Sequence, residues 1–171
     1  PGFPDRRELV DLVARGHELG GHTYSHLDCG SVPLNELRSD CQRNIREILE
    51  ITGLTVSAFA YPFGAFSPSS KKLIGELYAT ARMVQPGINR GSIDLSALFA
   101  VPIDIRGGLE PVRTYLHDLR ERGGWVIFYT HGVCGNPTVY DSTVELLSES
   151  VDLCLSSGCE LMTVGDAASL C

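Results

Sequence analysis

Trp125-Val126-Ile127-Phe128-Tyr129-Thr130 is an almost unbroken apolar run, preceded by Gly123-Gly124 and followed by His131-Gly132. Such a run suits a strand covered on both faces, the usual condition in a parallel sheet. Parallel neighbours need crossover connections, and the flanking sequence supplies them. Upstream, a helix begins at Pro111, turns Val112, Tyr115, Leu116 and Leu119 inward, and stops at Gly123. Downstream, after a loop rich in Gly, Asn and Pro over 132–140, Ser142-Thr143-Val144-Glu145 reads as a capping box for a helix that ends at Gly158.

The alternation continues to both ends. Residues 57–61 read as a strand that stops at Pro62-Phe63-Gly64, and Ser67-Pro68 then opens a helix with Leu73, Ile74 and Leu77 on its apolar stripe. Residues 79–84 and 98–103 read as extended, 159–164 as a last strand, and 166–170 as a helical turn. Toward the N-terminus, a helix over 34–52 sets Leu37, Cys41, Ile45 and Ile48 at helical spacing and stops at Gly53, its other face charged and expected in solvent. An extended piece over 18–22 and a helix over 4–15 precede it. Six extended segments interleaved with helices predict an α/β fold, part of a (β/α) barrel with its chemistry at the C-terminal ends of the strands.

A chain of 171 residues is expected to form one domain, 1–171, and 43% hydrophobic against 20% charged residues excludes intrinsic disorder. With 14 Lys and Arg against 21 Asp and Glu, a net charge of −7 and no basic block, neither nucleic acid nor an anionic membrane is an expected partner. No apolar stretch approaches the ~20 residues a bilayer crossing needs, so membrane insertion is not expected. None of the six cysteines forms a C-x-x-C pair, which argues against a thiolate zinc site. Cys41 and Cys154 fall on apolar stripes and read as buried. A core of this size needs no staples, which favours a reduced, cytoplasmic setting over an exported one with a bridge or two.

Three histidines fall at predicted strand ends. His22 and His26, four apart, follow the first strand, with Gly20-Gly21 before them permitting close backbone approach. Two imidazoles so spaced can share one cation on a turn, or can each hydrogen-bond within the loop. His131 follows the strongest strand, where an imidazole is a natural proton donor at neutral pH or a partner for a nearby carbonyl. No G-x-S-x-G, H-E-x-x-H, G-x-G-x-x-G or Walker loop is present.

Gly16-His17-Glu18-Leu19-Gly20-Gly21-His22-Thr23-Tyr24-Ser25-His26 resembles the metal-binding H-[ST]-x-x-H motif of the polysaccharide deacetylases, carbohydrate esterase family 4 with its NodB-homology domain. Phe59-Ala60-Tyr61-Pro62-Phe63-Gly64 is similar to that family's proline-aromatic-glycine motif, and Tyr129-Thr130-His131 to its late L-x-H motif. The resemblance implies a distorted (β/α) barrel and metal-dependent removal of N-acetyl or O-acetyl groups from an oligo- or polysaccharide, with metal-activated water as nucleophile. It implies His22 and His26 as ligands of a divalent ion, usually zinc, and His131 as general acid. It also implies that the backbone N–H of Phe63 faces the developing oxyanion, while Tyr61 and Pro62 shape the sugar groove. In the family an Asp pair on an upstream strand gives the catalytic base and a third ligand. This sequence has no such motif, which implies a domain lacking its first strands and, alone, inactive. Ala60 stands where many relatives carry arginine, and Asp104 is left without a role. The alternative is a non-catalytic carbohydrate-binding or scaffold domain that has lost the Asp pair.

Overall fold

Asp5 opens the first helix by a reciprocal cap, its carboxylate accepting from Glu8 N–H while the Glu8 carboxylate accepts from Asp5 N–H. The computed structural model describes residues 4–171. Their contacts form two compact units: the described residues up to Met83 with Asp94–Leu98 and Thr163–Cys171, and Val84–Ile93 with Phe99–Met162.

In the first unit, helix α1 (Arg6–Ala14) is followed by α2 (Leu34–Thr52), which buries Leu37 and Cys41 and ends at Gly53. Gly53 has φ +74, the left-handed value that lets a helix stop without a strained Cβ. Strands β1 (Ala58–Ala60) and β2 (Thr80–Arg82) pair in parallel, Ala58 opposite Thr80, and helix α3 (Pro68–Leu77) makes the crossover between them. Ser67 caps α3, accepting from Ser70 N–H at 3.1 Å, with Pro68 in the first turn. The core joins Leu37 and Cys41 of α2, Phe59 of β1, Leu73 and Ile74 of α3, and Ala81 of β2. Full burial of a Leu such as Leu37 contributes roughly 1.5–3 kcal/mol.

The extended piece expected over 18–22 shrinks to one parallel bridge, Gly21 to Phe59. Gly21 N–H donates to Ala58 O at 2.8 Å and Ala60 N–H donates to Gly21 O at 2.9 Å. Two glycines offer nothing to pack, so pairing stops where backbone contact does. The strand expected over 159–164 is absent. Thr163 instead caps helix α6 (Val164–Ser169), accepting from Asp166 N–H, and the Glu18 carboxylate accepts from Gly165 N–H at 3.1 Å.

In the second unit, β3 (Val101–Pro102) and β4 (Phe128–Tyr129) pair in parallel, Val101 opposite Phe128, with α4 (Glu110–Arg122) between them in sequence. The apolar run over 125–130 does not act as one strand. Gly124, at φ +105, breaks it from α4, and Trp125 forms an antiparallel bridge with Asn89 before β4 begins. Helix α5 (Val144–Ser156) is capped by Thr143, which accepts from Leu146 N–H at 3.1 Å, one residue beyond Ser142. Ser142 is buried, its N–H donating to Gly132 O. Val112 and Leu116 of α4, Cys154 of α5 and Ile103 form this unit's core.

The α/β class and the parallel pairing agree with the sequence. Among the described residues each unit holds one two-stranded sheet, and neither shows barrel geometry by itself. Among the described residues, no helix is long and apolar enough to cross a membrane.

Candidate functional site

His22 leaves the Gly21 bridge directly, so β1 fixes where its side chain starts. Its Nδ1 lies 2.7 Å from Ala60 O. A carbonyl can only accept, so this contact selects the tautomer with the proton on Nδ1 and the lone pair on Nε2. His26 then returns, its ring centroid 4.9 Å from that of His22 with the planes 70° apart. Both side chains are exposed.

The turn between them is strained. Thr23 has φ +59 and His26 φ +55, left-handed values that cost a non-glycine residue roughly 1–3 kcal/mol and persist where the surroundings hold them. Here the surroundings are the buried Thr23, whose Oγ1 accepts from Leu27 N–H at 2.9 Å, and one face of α2. Asp40 Oδ1 accepts from Tyr24 N–H at 2.6 Å and Ser25 N–H at 3.1 Å, and Asn44 Oδ1 accepts from His22 N–H at 3.2 Å. The Arg43 guanidinium lies 3.6 Å from the Tyr24 ring centre. The α2 face expected to be merely solvated therefore grips the histidine turn. Its sequence signal is a pair of hydrogen-bond acceptors at i, i+4, Asp40 and Asn44, which a solvated helix face displays equally well.

Pro62-Phe63-Gly64 forms a tight turn in which Phe63 has φ +59 and Gly64 φ +68. Phe63 is 67% exposed, and its ring meets that of His26 edge-on at 4.7 Å. Tyr61 and Pro62 lie beneath it. Tyr61 is 1% exposed, its hydroxyl donating to Ser96 O at 3.0 Å and its ring packed on Phe59 and Phe66. Burial pushes its phenol well above the ordinary range. Pro62 is likewise buried. Expected to shape a groove, these two side chains support the turn from below and leave Phe63 as the surface.

His131 belongs to the second unit. Exposed after β4, its ring lies 6.0 Å from Tyr129 and 5.8 Å from Tyr140. The Arg106 guanidinium sits 4.8 Å from the Tyr140 ring centre and pairs with Asp104 at 2.7 Å. Burial raises the Asp104 carboxyl, but hydrogen bonds from the Arg106 guanidinium and from Gly107 and Arg106 N–H more than offset it, so it sits below the usual carboxylate range. Asp104, left unassigned by the sequence, is engaged in this turn. His117 and His17 are exposed.

The donors at His22 and His26 suit a divalent ion in kind. Their geometry includes the outer hydrogen bond, Nδ1–H to a carbonyl, that ligating imidazoles commonly make. They do not suffice in number, because a catalytic zinc takes three protein ligands and no trio of His, Cys, Asp or Glu gathers for an ion among the described residues. Asp28, the nearest following carboxylate in sequence, instead closes its own turn by accepting from Gly30 N–H at 2.8 Å.

Residues 5–81 match the sequence profile of the polysaccharide deacetylase family. No curated protein matches the chain. Among solved structures, a Mycobacterium smegmatis protein provisionally assigned as a polysaccharide deacetylase is similar at TM-score 0.72 and 16% identity, over 96% of this chain and 66% of that one. A pseudoenzyme of carbohydrate esterase family 4 from Bacillus anthracis is similar at TM-score 0.63 and 16% identity, over 95% and 50%. A polysaccharide deacetylase from Bacillus cereus is similar at TM-score 0.53 and 17% identity, over 88% and 37%. The chain thus spans between about a third and two thirds of their lengths. The profile of that family covers residues 5–81, the stretch that carries the histidine turn and the proline-aromatic-glycine turn, and the chain shares its fold with these proteins.

Proposed function

We propose that the chain is part of a metal-dependent carbohydrate deacetylase acting on an acetylated oligo- or polysaccharide, whose domain closes as a distorted (β/α) barrel. The observation that carries this is the histidine pair: two exposed imidazoles 4.9 Å apart, one with its tautomer set by Ala60 O, beside an exposed Phe63. His22 and His26 would be two ligands of the ion, zinc being the first choice for imidazole donors, and a catalytic site would need a third. Held there, such an ion would supply Lewis acidity toward the acetyl carbonyl and lower the pKa of a water so that hydroxide is available as nucleophile. The Phe63 backbone N–H donates to the oxyanion that develops. His131 delivers a proton to the amine nitrogen as the C–N bond breaks, so acetate and a free amine are the products.

The test is acetate release from N-acetylglucosamine oligomers by the full-length gene product and by residues 1–171. The longer protein is expected to turn over and the shorter one to show negligible activity. His131→Ala should lower kcat by roughly 10²–10⁴-fold at unchanged metal content. Turnover by residues 1–171 at the rate of the longer protein would overturn the need for further ligands. A second reading, a sugar-binding or scaffold domain without catalysis, is favoured by the want of a third ligand among the described residues and by the likeness to a pseudoenzyme. It predicts oligosaccharide binding insensitive to chelator, to His22→Ala and to His131→Ala.

A further inference from the structure

We infer that Asp40 of α2 is a positioning residue for the metal-binding histidines: its carboxylate fixes the left-handed turn from His22 to His26 and so sets how the two imidazoles meet. The inference rests on the proposed metal role of that pair only in its second readout.

The argument begins with what the turn lacks. Between His22 and Leu27 the chain reverses outside any helix or sheet, so the N–H groups of Tyr24 and Ser25 have no regular ladder to enter. One atom, Asp40 Oδ1, accepts from both, at 2.6 and 3.1 Å. Bonds to an ionised acceptor are roughly twice as strong as neutral ones, and two on one oxygen fix both the position and the direction of the backbone between them. That segment runs from Thr23 (φ +59) to His26 (φ +55), the two strained residues of the turn. Without the carboxylate, each would be free to relax to a negative φ, and relaxation at His26 swings its Cβ away from His22.

The rest of α2 reinforces Asp40. Asn44, one turn later on the same face, accepts from His22 N–H at 3.2 Å, and Arg43 covers the Tyr24 ring at 3.6 Å. Position and rigidity of α2 come from Leu37 and Cys41, both fully buried, Cys41 being the very next residue after Asp40. The helix is therefore anchored by its inner face and presents its acceptors from a fixed place. Asp40 itself does not reach the imidazoles through any of these bonds and acts on them only through the turn.

Two variants separate this from a merely structural part. Asp40→Ala removes the acceptor, whereas Asp40→Asn retains an Oδ1 that can accept from both N–H groups. The first readout needs no metal: nuclear Overhauser contacts between the His22 and His26 rings, and amide hydrogen exchange at Tyr24 and Ser25, in residues 1–171. Asp40→Ala should abolish the ring contacts and speed exchange at those two amides at least about tenfold, with the amides of α2 and the Tm unchanged. Asp40→Asn should restore most of both. The second readout is zinc binding by the full-length gene product, followed by calorimetry, where Asp40→Ala should weaken affinity by about 10–100-fold and Asp40→Asn by clearly less. Ring contacts and exchange that survive Asp40→Ala overturn the inference, as does a loss that appears only with a lowered Tm or that Asp40→Asn fails to rescue. If the unaltered full-length gene product binds no zinc while the first readout behaves as expected, the metal reading of the pair fails and Asp40 still stands as the organiser of the turn.

Discussion

At Gly21 a missing side chain fixes the site. A Cβ built there would lie 2.6 Å from Tyr78 Oη and 2.7 Å from its ring, closer than atoms tolerate, while the Gly21 backbone is bonded to β1 on both sides and cannot retreat. Tyr78 is 4% exposed, its ring packed on Phe59. Gly21→Ala should therefore cost about 1–3 kcal/mol by overpacking, read as a lower urea midpoint, and Tyr78→Leu in the same chain should recover part of it. Equal midpoints for Gly21→Ala and the unaltered protein would show the bridge is looser than drawn. The Gly20-Gly21 pair was legible in the sequence as a place of close backbone approach, and so were His22 and His26 as a pair. Asp40 was not, because a carboxylate that grips a neighbouring turn and one that faces water have the same one-letter code and the same helical phase.

Helices were more legible than strands, for a physical reason visible in α2 and β4. The stripe of Leu37, Cys41, Ile45 and Ile48 repeats over about three turns, and Gly53 marks the end by its left-handed φ, so pattern and punctuation agree. The run at 125–130 carries apolar content but nothing that states its partner: Trp125 pairs with Asn89 across an antiparallel bridge, Phe128 and Tyr129 with β3 in parallel. Pairing is a tertiary choice, and apolar runs do not encode it. Caps fall between the two. The capping-box reading takes Ser142 as the N-cap of α5, whereas Thr143 takes that place, and Ser142 is drawn into the loop with its backbone N–H on Gly132 O. Thr143→Ala should cost about 1 kcal/mol in urea unfolding with the amides of the first α5 turn exchanging faster. Thr143→Ser, which keeps the acceptor, should cost a fraction of that. A Thr143→Ala protein as stable as the original would return the cap to Ser142.

Across the molecule, the first unit's core holds ionisable groups that burial keeps neutral, and this sets how the protein responds to alkali. Burial, aided by the nearby Asp28 charge, pushes the Cys29 thiol up to about 11, and burial with the neighbouring Cys29 pushes Cys41 up to about 12. Both lie in the cluster with Phe59, Tyr61 and Tyr78. In the unfolded chain a thiol ionises near pH 8.5–9. A folded value raised above the unfolded one means stability is whole below about pH 9 and falls as pH rises toward 11 and 12, because only the unfolded chain can release the proton in that window. The slope is about 1.4 kcal/mol per pH unit for each thiol. Urea midpoints followed by circular dichroism should therefore hold steady from pH 7 to 8 and drop between 9 and 10.5, and the Cys29→Ala, Cys41→Ala double variant should show a shallower drop over the same interval. A parallel decline in the two proteins would assign the alkaline loss to other groups. The same burial protects these thiols chemically: in the folded state a disulfide reagent at pH 8 should modify the exposed Cys171 fastest and Cys29 and Cys41 only at the rate of unfolding, so that the double variant leaves the fast phase unchanged and removes the slow one.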